Sequence, residues 1–126
     1  MRDFKELNVW KKAFEFTKDI YKITENFPKS EIYGITSQLR RASVSISSNI
    51  AEGCGKLSER DFLNFLVISF GSSKEVENLL LLCKELNYIN ITDFNSLNQQ
   101  LTETSKMLNA FISNIKKGIR EVRTKC

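Results

Sequence analysis

The sequence predicts an all-α fold, an antiparallel up-down-up-down four-helix bundle that forms one domain over residues 1–126. Apolar residues recur at steps of three and four along four long segments, which is the period of one helix face. One proline and five glycines leave few breaks in those segments. Because the connections are short, consecutive helices are expected to pack antiparallel. The predicted helices cover roughly residues 4–26, 31–53, 59–86 and 93–119.

The first two helices carry recognisable end signals. Asp3 and Asn8 are alternative caps for the first helix. Pro28 is expected to end it, because the residue before a proline is disfavoured in the α conformation. Gly53 and Gly55 are expected to stop the second helix in the left-handed conformation that favours glycine.

The second helix has an apolar seam and an ordered polar side. Its seam residues step by three and four, as in helices that pack against antiparallel neighbours: Ile35, Leu39, Ala42, Ile46, Asn49 and Ile50. On the polar side, Glu52 lies on the same face as Arg41 and is a candidate partner for it, within or between subunits. A phosphate group is the other candidate, because a guanidinium group binds either anion with paired hydrogen bonds. The serines at 43, 45, 47 and 48 suit close helix crossings and hydrogen bonds to main-chain carbonyls.

The third helix combines a stretch of small residues with apolar residues on several faces. The small residues should let the second helix approach closely, and they are Ser69, Gly71, Ser72 and Ser73. The apolar excess includes Leu63, Val67 and Phe70. We interpret it as an interface between copies of the chain, with a locally apolar surface as the alternative.

The fourth helix becomes basic toward its end. Thr92 or Asp93 is its predicted cap. A basic helix end needs no preformed site to meet phosphates. The predicted nucleic-acid contacts are therefore Lys116, Lys117, Arg120, Arg123 and Lys125, with Arg40 as a further candidate. A solvated basic end without a partner is the alternative.

The composition argues against several kinds of catalytic and metal-binding site. The net charge of +4 permits nucleic-acid contact without requiring it. The chain has no histidine, which removes the commonest general base and metal ligand. Its three cysteines are far apart, which argues against a zinc site or a disulfide framework and fits a reducing cytoplasm. We therefore expect a cytoplasmic protein without enzymatic activity, cofactor, metal or membrane partner.

Short motifs along nearly the whole chain resemble those of one family. They are Leu7-x-Val9-Trp10-x-x-Ala13, Phe27-Pro28-x-x-Glu31-x-Tyr33-Gly34, Gln38-Leu39-Arg40-Arg41-Ala42, Ser45-Ile46-x-x-Asn49-Ile50-Ala51-Glu52-Gly53, Phe62-x-x-Phe65-Leu66 and Gly71-Ser72-x-x-Glu75. With these motifs the sequence resembles the four-helix-bundle family of 23S ribosomal RNA intervening-sequence proteins.

The resemblance implies a small bacterial bundle protein that assembles as a ring-like pentamer and has no established catalytic residues. A related branch, the accessory proteins of diversity-generating retroelements, is similar in fold and binds nucleic acid and a reverse transcriptase through a basic surface. The leading hypothesis is thus a non-enzymatic oligomer that binds RNA or a ribonucleoprotein. The alternative is a protein-interaction scaffold that binds no nucleic acid. In either case we assign assembly or structural roles to Arg41, Glu52, Asn49, Leu63, Val67 and Phe70.

Overall fold

The computed structural model describes residues 2–125, with side chains through residue 123. Four α-helices fill this range: α1 (Asn8–Thr24), α2 (Ile35–Cys54), α3 (Glu59–Glu85) and α4 (Ile91–Lys125). Short 3-10 turns cover Phe4–Glu6 and Lys29–Glu31. No β-strand occurs within the described residues, so the all-α prediction is confirmed.

The helices pack as a four-membered ring. The contacting pairs are α1 with α2, α2 with α3, α3 with α4, and α4 with α1. Short connections between contacting helices give them alternating directions. One end of the bundle, the turn end, holds the connections at residues 25–34 and 86–90. The other end, the terminal end, holds the residues before α1, the α2–α3 connection and the end of α4.

An apolar interior runs along the axis of the ring and supplies the main driving force for packing, since burial of apolar surface is the dominant favourable term in folding. The largest fully buried side chains come from all four helices: Phe16, Ile20, Leu39, Ile46, Ile50, Phe62, Leu66, Val76, Leu80, Leu97, Leu101 and Leu108.

Hydroxyl groups join α2 to α3 where the sequence predicts close approach. The Ser69 hydroxyl donates a 2.7 Å hydrogen bond to the main-chain carbonyl oxygen of Ile46. One turn further along, the hydroxyls of Ser45 and Ser72 lie 2.8 Å apart. Ser69 and Ser72 thus provide the close contact with α2 that the sequence predicts. Gly71 and Ser73 do not share in these contacts, because nothing lies within 4 Å of a Cβ at Gly71 and the Ser73 hydroxyl bonds to the Phe70 carbonyl and to Ser105 of α4.

Gly53 and Gly55 do not end α2 in the way the sequence predicts. No glycine among the described residues has a positive φ, and Gly55 has φ −83° and ψ −4°. Gly53 is buried within α2, where an added Cβ would lie 2.9 Å from both Phe62 Cδ1 and Phe65 Cβ. Gly53 is therefore needed for the space it leaves to α3. The left-handed residue that follows a helix is Asn87, with φ 61°, after α3.

Other helix ends also differ from the prediction. Residues 29–31 form a 3-10 turn, so α2 begins at Ile35 instead of residue 31. The cap of α4 is Asn90, whose Oδ1 accepts a 2.8 Å hydrogen bond from the Asp93 N–H. The predicted caps, Thr92 and Asp93, lie inside the helix. At its other end α4 continues past residue 119 to Lys125.

Candidate nucleic-acid interface

The basic residues of α4 lie at the terminal end of the bundle, beside the start of α3. Lys116, Arg120 and Arg123 are separated by four and three residues, so they share one face of α4. Because α3 runs in the opposite direction, its first turn places Arg60 next to them. A cavity of about 480 Å³ is lined by Arg60, Asp61, Leu63, Asn64, Lys116, Ile119, Arg120 and Arg123.

A second cavity continues this depression toward the end of the bundle. It also measures about 480 Å³, and it is lined by Ser58, Glu59, Arg60, Gly118, Ile119, Val122 and Arg123. Arg60, Ile119 and Arg123 line both cavities. We call the joined cavities the basic groove, and we define it by Arg60, Lys116, Arg120 and Arg123. Its apolar walls can contact sugars or bases while its cations contact phosphates.

Glu59 is one of the two acidic residues beside the groove, and it forms an ion pair with Arg2 of the N-terminal segment. Arg2 Nη1 and Nη2 lie 2.7 Å and 2.9 Å from the two Glu59 carboxylate oxygens. The same guanidinium group stacks 4.3 Å from the centre of the Phe62 ring. The hydrogen bond from Arg2 lowers the pKa of Glu59, so the carboxylate is held ionised and paired. Asp61 is the other acidic residue.

The remaining predicted contacts of α4 lie outside the two cavities. Lys117 is exposed and points about 100° away from Lys116 around the helix, since successive α-helical residues turn by that angle. The side chain of Lys125 lies outside the described residues, although its backbone belongs to α4.

Arg40 is at the turn end, so the structure does not bring it to the groove. Its Nε donates a 2.8 Å hydrogen bond to Thr24 Oγ1, and its Nη2 donates one of 3.3 Å to the Tyr21 carbonyl oxygen. Its guanidinium carbon lies 4.7 Å from the centre of the Tyr21 ring. Arg40 thus connects α2 to the end of α1.

Arg41 and Glu52 form no ion pair with each other among the described residues. A helical rise of about 1.5 Å per residue separates them by about 16 Å along α2, beyond the reach of their side chains. A contact between subunits stays a prediction. Asn49 bonds within its own helix, because its Nδ2 donates to the Ser45 carbonyl oxygen at 2.7 Å and to Ser45 Oγ at 2.9 Å.

The three residues assigned to an interface between copies differ in exposure. Val67 is 48% exposed, whereas Leu63 and Phe70 are half-buried against the core of the same chain. Ile68, beside Val67, is also exposed. Leu63 additionally lines the basic groove, so the apolar face of α3 and the groove adjoin each other.

The Ser43 hydroxyl of α2 and the thiols of Cys54 in α2 and Cys83 in α3 are directed into the protein, whereas Ser48 of α2 is exposed. The Ser43 hydroxyl donates to the Leu39 carbonyl oxygen at 2.8 Å, the main-chain bond expected from the sequence. Cys54 and Cys83 are buried. Burial raises the pKa of both thiols, that of Cys83 to about 11.

Within residues 2–125, no group of three or more His, Cys, Asp or Glu side chains is placed to hold a metal ion. Over the same residues, no helix combines the length and apolar character needed to cross a membrane.

Arg60 is the groove residue that sequence reasoning missed. It lies between Glu59 and Asp61, so the first turn of α3 looks acidic in the sequence. The signal that could have found it is topological. In an antiparallel bundle the start of α3 must lie beside the end of α4, so a cation there joins the basic residues of α4.

Fold and groove together define a small all-α bundle protein with a cationic surface at one end. Residues 5–110 match the family of 23S rRNA-intervening sequence proteins. The chain belongs to that family, which confirms the resemblance seen in the sequence. The match ends before Lys116, so the α4 residues of the basic groove, Lys116, Arg120 and Arg123, lie outside it.

A solved structure is similar over most of the chain. It is the crystal structure of a protein with unknown function from the S23 ribosomal protein family of Bacteroides thetaiotaomicron VPI-5482. The two sequences are 32% identical, the match covers 82% of this chain and 97% of that one, and the TM-score is 0.75. A comparison with curated proteins finds no match.

Proposed function

We propose that this protein is a non-enzymatic cytoplasmic homo-oligomer that binds RNA, alone or in a ribonucleoprotein, through the basic groove. The observation that carries the proposal is the convergence of Arg60 from α3 with Lys116, Arg120 and Arg123 from α4. Membership of a family named for a ribosomal RNA insertion favours RNA as the ligand.

The groove suits a phosphate backbone better than a single small anion. Lys116 and Arg123 are separated by seven residues, or about 10 Å along α4, so their side chains can contact different phosphates of one strand. Arg60 lies in the first turn of α3, where the helix dipole adds positive potential. The attraction between these positive charges and phosphate groups is electrostatic, so salt would weaken it.

Fluorescence anisotropy with a labelled RNA hairpin tests the proposal. A variant in which Gln replaces all four groove residues, Arg60, Lys116, Arg120 and Arg123, should not bind the hairpin at about 50 mM salt. The reason is that contacts with phosphates provide most of the salt-dependent affinity for RNA. The matched control replaces Lys11, Lys18, Lys22 and Lys84 with Gln, which removes the same charge from other surfaces. Equal loss of binding in both variants, or no binding by the native protein, would contradict the proposed site.

Assembly through the exposed apolar face of α3 is the oligomeric part of the proposal. Val67 and Ile68 offer apolar surface that a second copy would cover, and Leu63 extends that surface to the groove. Light scattering should give a mass well above the 14.5 kDa of one chain. Val67→Glu should reduce the mass toward that value, because association would bury an unpaired charge. A native protein that is monomeric would exclude this interface.

A protein-interaction scaffold is the second candidate, favoured by exposed apolar residues near the turn end. Leu81, Leu82, Leu86 and Ile91 are each about half exposed. Such a patch can recruit another protein. Purification from native cells distinguishes the two functions: bound nucleic acid supports the first, and a stoichiometric protein partner without nucleic-acid absorbance supports the second.

A further inference from the structure

A separate pocket lies at the turn end, between the end of α1 and the first turns of α2. Its volume is about 340 Å³, within the range of small-molecule sites. It is lined by Thr24, Glu25, Phe27, Pro28, Lys29, Ile32, Thr36 and Arg40. This pocket is at the opposite end of the bundle from the basic groove, so it belongs to a different site.

Thr36 in the wall of this pocket has an unsatisfied hydroxyl. The residue is 3% exposed, and its Oγ1 has no hydrogen-bond partner, the only such buried side-chain oxygen or nitrogen within the described chain. Thr24, on the other wall, is fully engaged, since its hydroxyl donates to the Ile20 carbonyl oxygen and accepts from Arg40 Nε. A buried hydroxyl without a partner is unfavourable, and a ligand head group that shifts the pocket wall enough to reach it would remove that cost.

Arg40 supplies the cationic side of the pocket. Its guanidinium group has five N–H donors, and the described contacts to Thr24 and Tyr21 use two of them. The group is held in place by those contacts and by the Tyr21 ring, so its free donors are preorganised. Lys29 adds a second positive charge, and Glu25 offsets one of the two. The pocket therefore carries a net positive charge and favours an anionic ligand.

The other lining residues set the shape of the ligand. Phe27, Pro28 and Ile32 offer an apolar surface next to the cationic groups. We propose that this pocket binds a small molecule with a compact apolar body and one oxyanion head, a carboxylate or a phosphate. Arg40 and the Thr36 hydroxyl hold the head, and Phe27 with Ile32 contacts the body.

Ligand-observed saturation-transfer NMR tests this site with four probes that share a phenyl ring. Benzoate and phenyl phosphate should bind to the full-length protein, and whichever binds more tightly identifies the head group. Benzamide and benzamidine, neutral and cationic, should bind at least tenfold more weakly. If neither anion binds at about 10 mM, or if benzamidine binds as tightly as benzoate, the proposal is wrong.

Substitutions locate the binding and separate it from folding. Thr36→Val keeps the shape but removes the hydroxyl, so it should weaken benzoate binding about fivefold to tenfold while raising the melting temperature of the free protein. Glu25→Gln should strengthen binding by removing the opposing charge. Arg40→Lys keeps the charge but loses the planar fork and should weaken binding. Lys11→Gln is the control and should change nothing. Unchanged benzoate affinity in Thr36→Val and Arg40→Lys would overturn the assignment.

Discussion

The Ser69 hydroxyl of α3 donates a 2.7 Å hydrogen bond to the main-chain carbonyl oxygen of Ile46 in α2, inside the core. Ser69 has no exposed surface, so the bond is shielded from water. The bond lies about halfway along the α2–α3 pair. Removing it therefore measures how much a buried hydrogen bond between these helices contributes to the free energy of unfolding.

Ser69→Ala should lower the free energy of unfolding by about 1 to 2 kcal/mol, because a buried hydrogen bond is lost and a small void remains. Urea unfolding followed by circular dichroism measures the change. The control is Ser48→Ala, since Ser48 is exposed on α2 and the change in stability of that variant should stay within about 0.5 kcal/mol. Equal stability of the two variants would mean that the bond contributes nothing.

Gly53→Ala should destabilise the protein by about 1 to 3 kcal/mol, despite the better helix propensity of alanine. The added methyl group would meet the Phe62 and Phe65 side chains at 2.9 Å. Gly71→Ala is the matched control, because nothing lies within 4 Å of a Cβ there. It should stabilise the protein by roughly 0.5 to 1 kcal/mol. Thermal unfolding of both variants at one protein concentration tests whether the signs are opposite.

The Arg2–Glu59 ion pair should make stability depend on pH in the acid range. Since Arg2 lowers the pKa of Glu59 in the folded state, the unfolded chain binds more protons there. The stabilisation is complete above the ordinary pKa of 4.5 and is lost as the pH falls through the lowered folded pKa. Glu59→Gln should cost about 0.2 to 1 kcal/mol at pH 7, as expected for a partly exposed pair, and much less at strongly acid pH. A difference that is constant with pH would argue against this pair.

Cys83 should react with iodoacetamide only after the protein unfolds. Burial raises the pKa of its thiol to about 11, so at pH 8 about one thiol in a thousand is ionised, and the side chain is also inaccessible. Peptide mapping by mass spectrometry compares labelling with and without urea. Rapid labelling of Cys83 in the native protein would show that α3 opens locally.

Arg60→Gln alone should reduce the slope of log affinity against log salt by about one for RNA, the change expected when a single phosphate contact is lost. Lys18→Gln removes one positive charge at an exposed site of α1, away from the groove, and serves as the control. The measurement is a series of anisotropy titrations at increasing salt. A slope that does not change would place Arg60 outside the RNA contact.

The helices could be predicted from the sequence because their apolar period is local and repeats many times. The seam residue Ile46 is buried without exposed surface, as its spacing from Leu39 and Ile50 predicts. Helix ends were less predictable, because a glycine can be required for a left-handed backbone conformation or for the room that its missing side chain leaves to a neighbouring helix. At Gly53 the side chains of Phe62 and Phe65 require the space. These residues belong to the next helix and come close to Gly53 only once α3 packs on α2.

The candidate site was predicted in part. Lys116, Arg120 and Arg123 lie on one face of α4 through helical spacing alone, whereas Arg60 joins them through the packing of two helices. For the same reason the partners of Arg40 were not predictable. Its contacts with Tyr21 and Thr24 depend on how the end of α1 lies against α2, which no local pattern specifies.

The polar and glycine contacts between α2 and α3 restrict how far the two helices can slide along each other. A shift of one turn would move Ser69 away from the Ile46 carbonyl and Ser72 away from Ser45. It would also bring the Phe62 ring against a residue other than Gly53, with no gap to receive it. Purely apolar seams tolerate such sliding more readily, because one aliphatic group can replace another. The pair therefore has a single axial register, and that register fixes the axial position of Arg60 relative to α2.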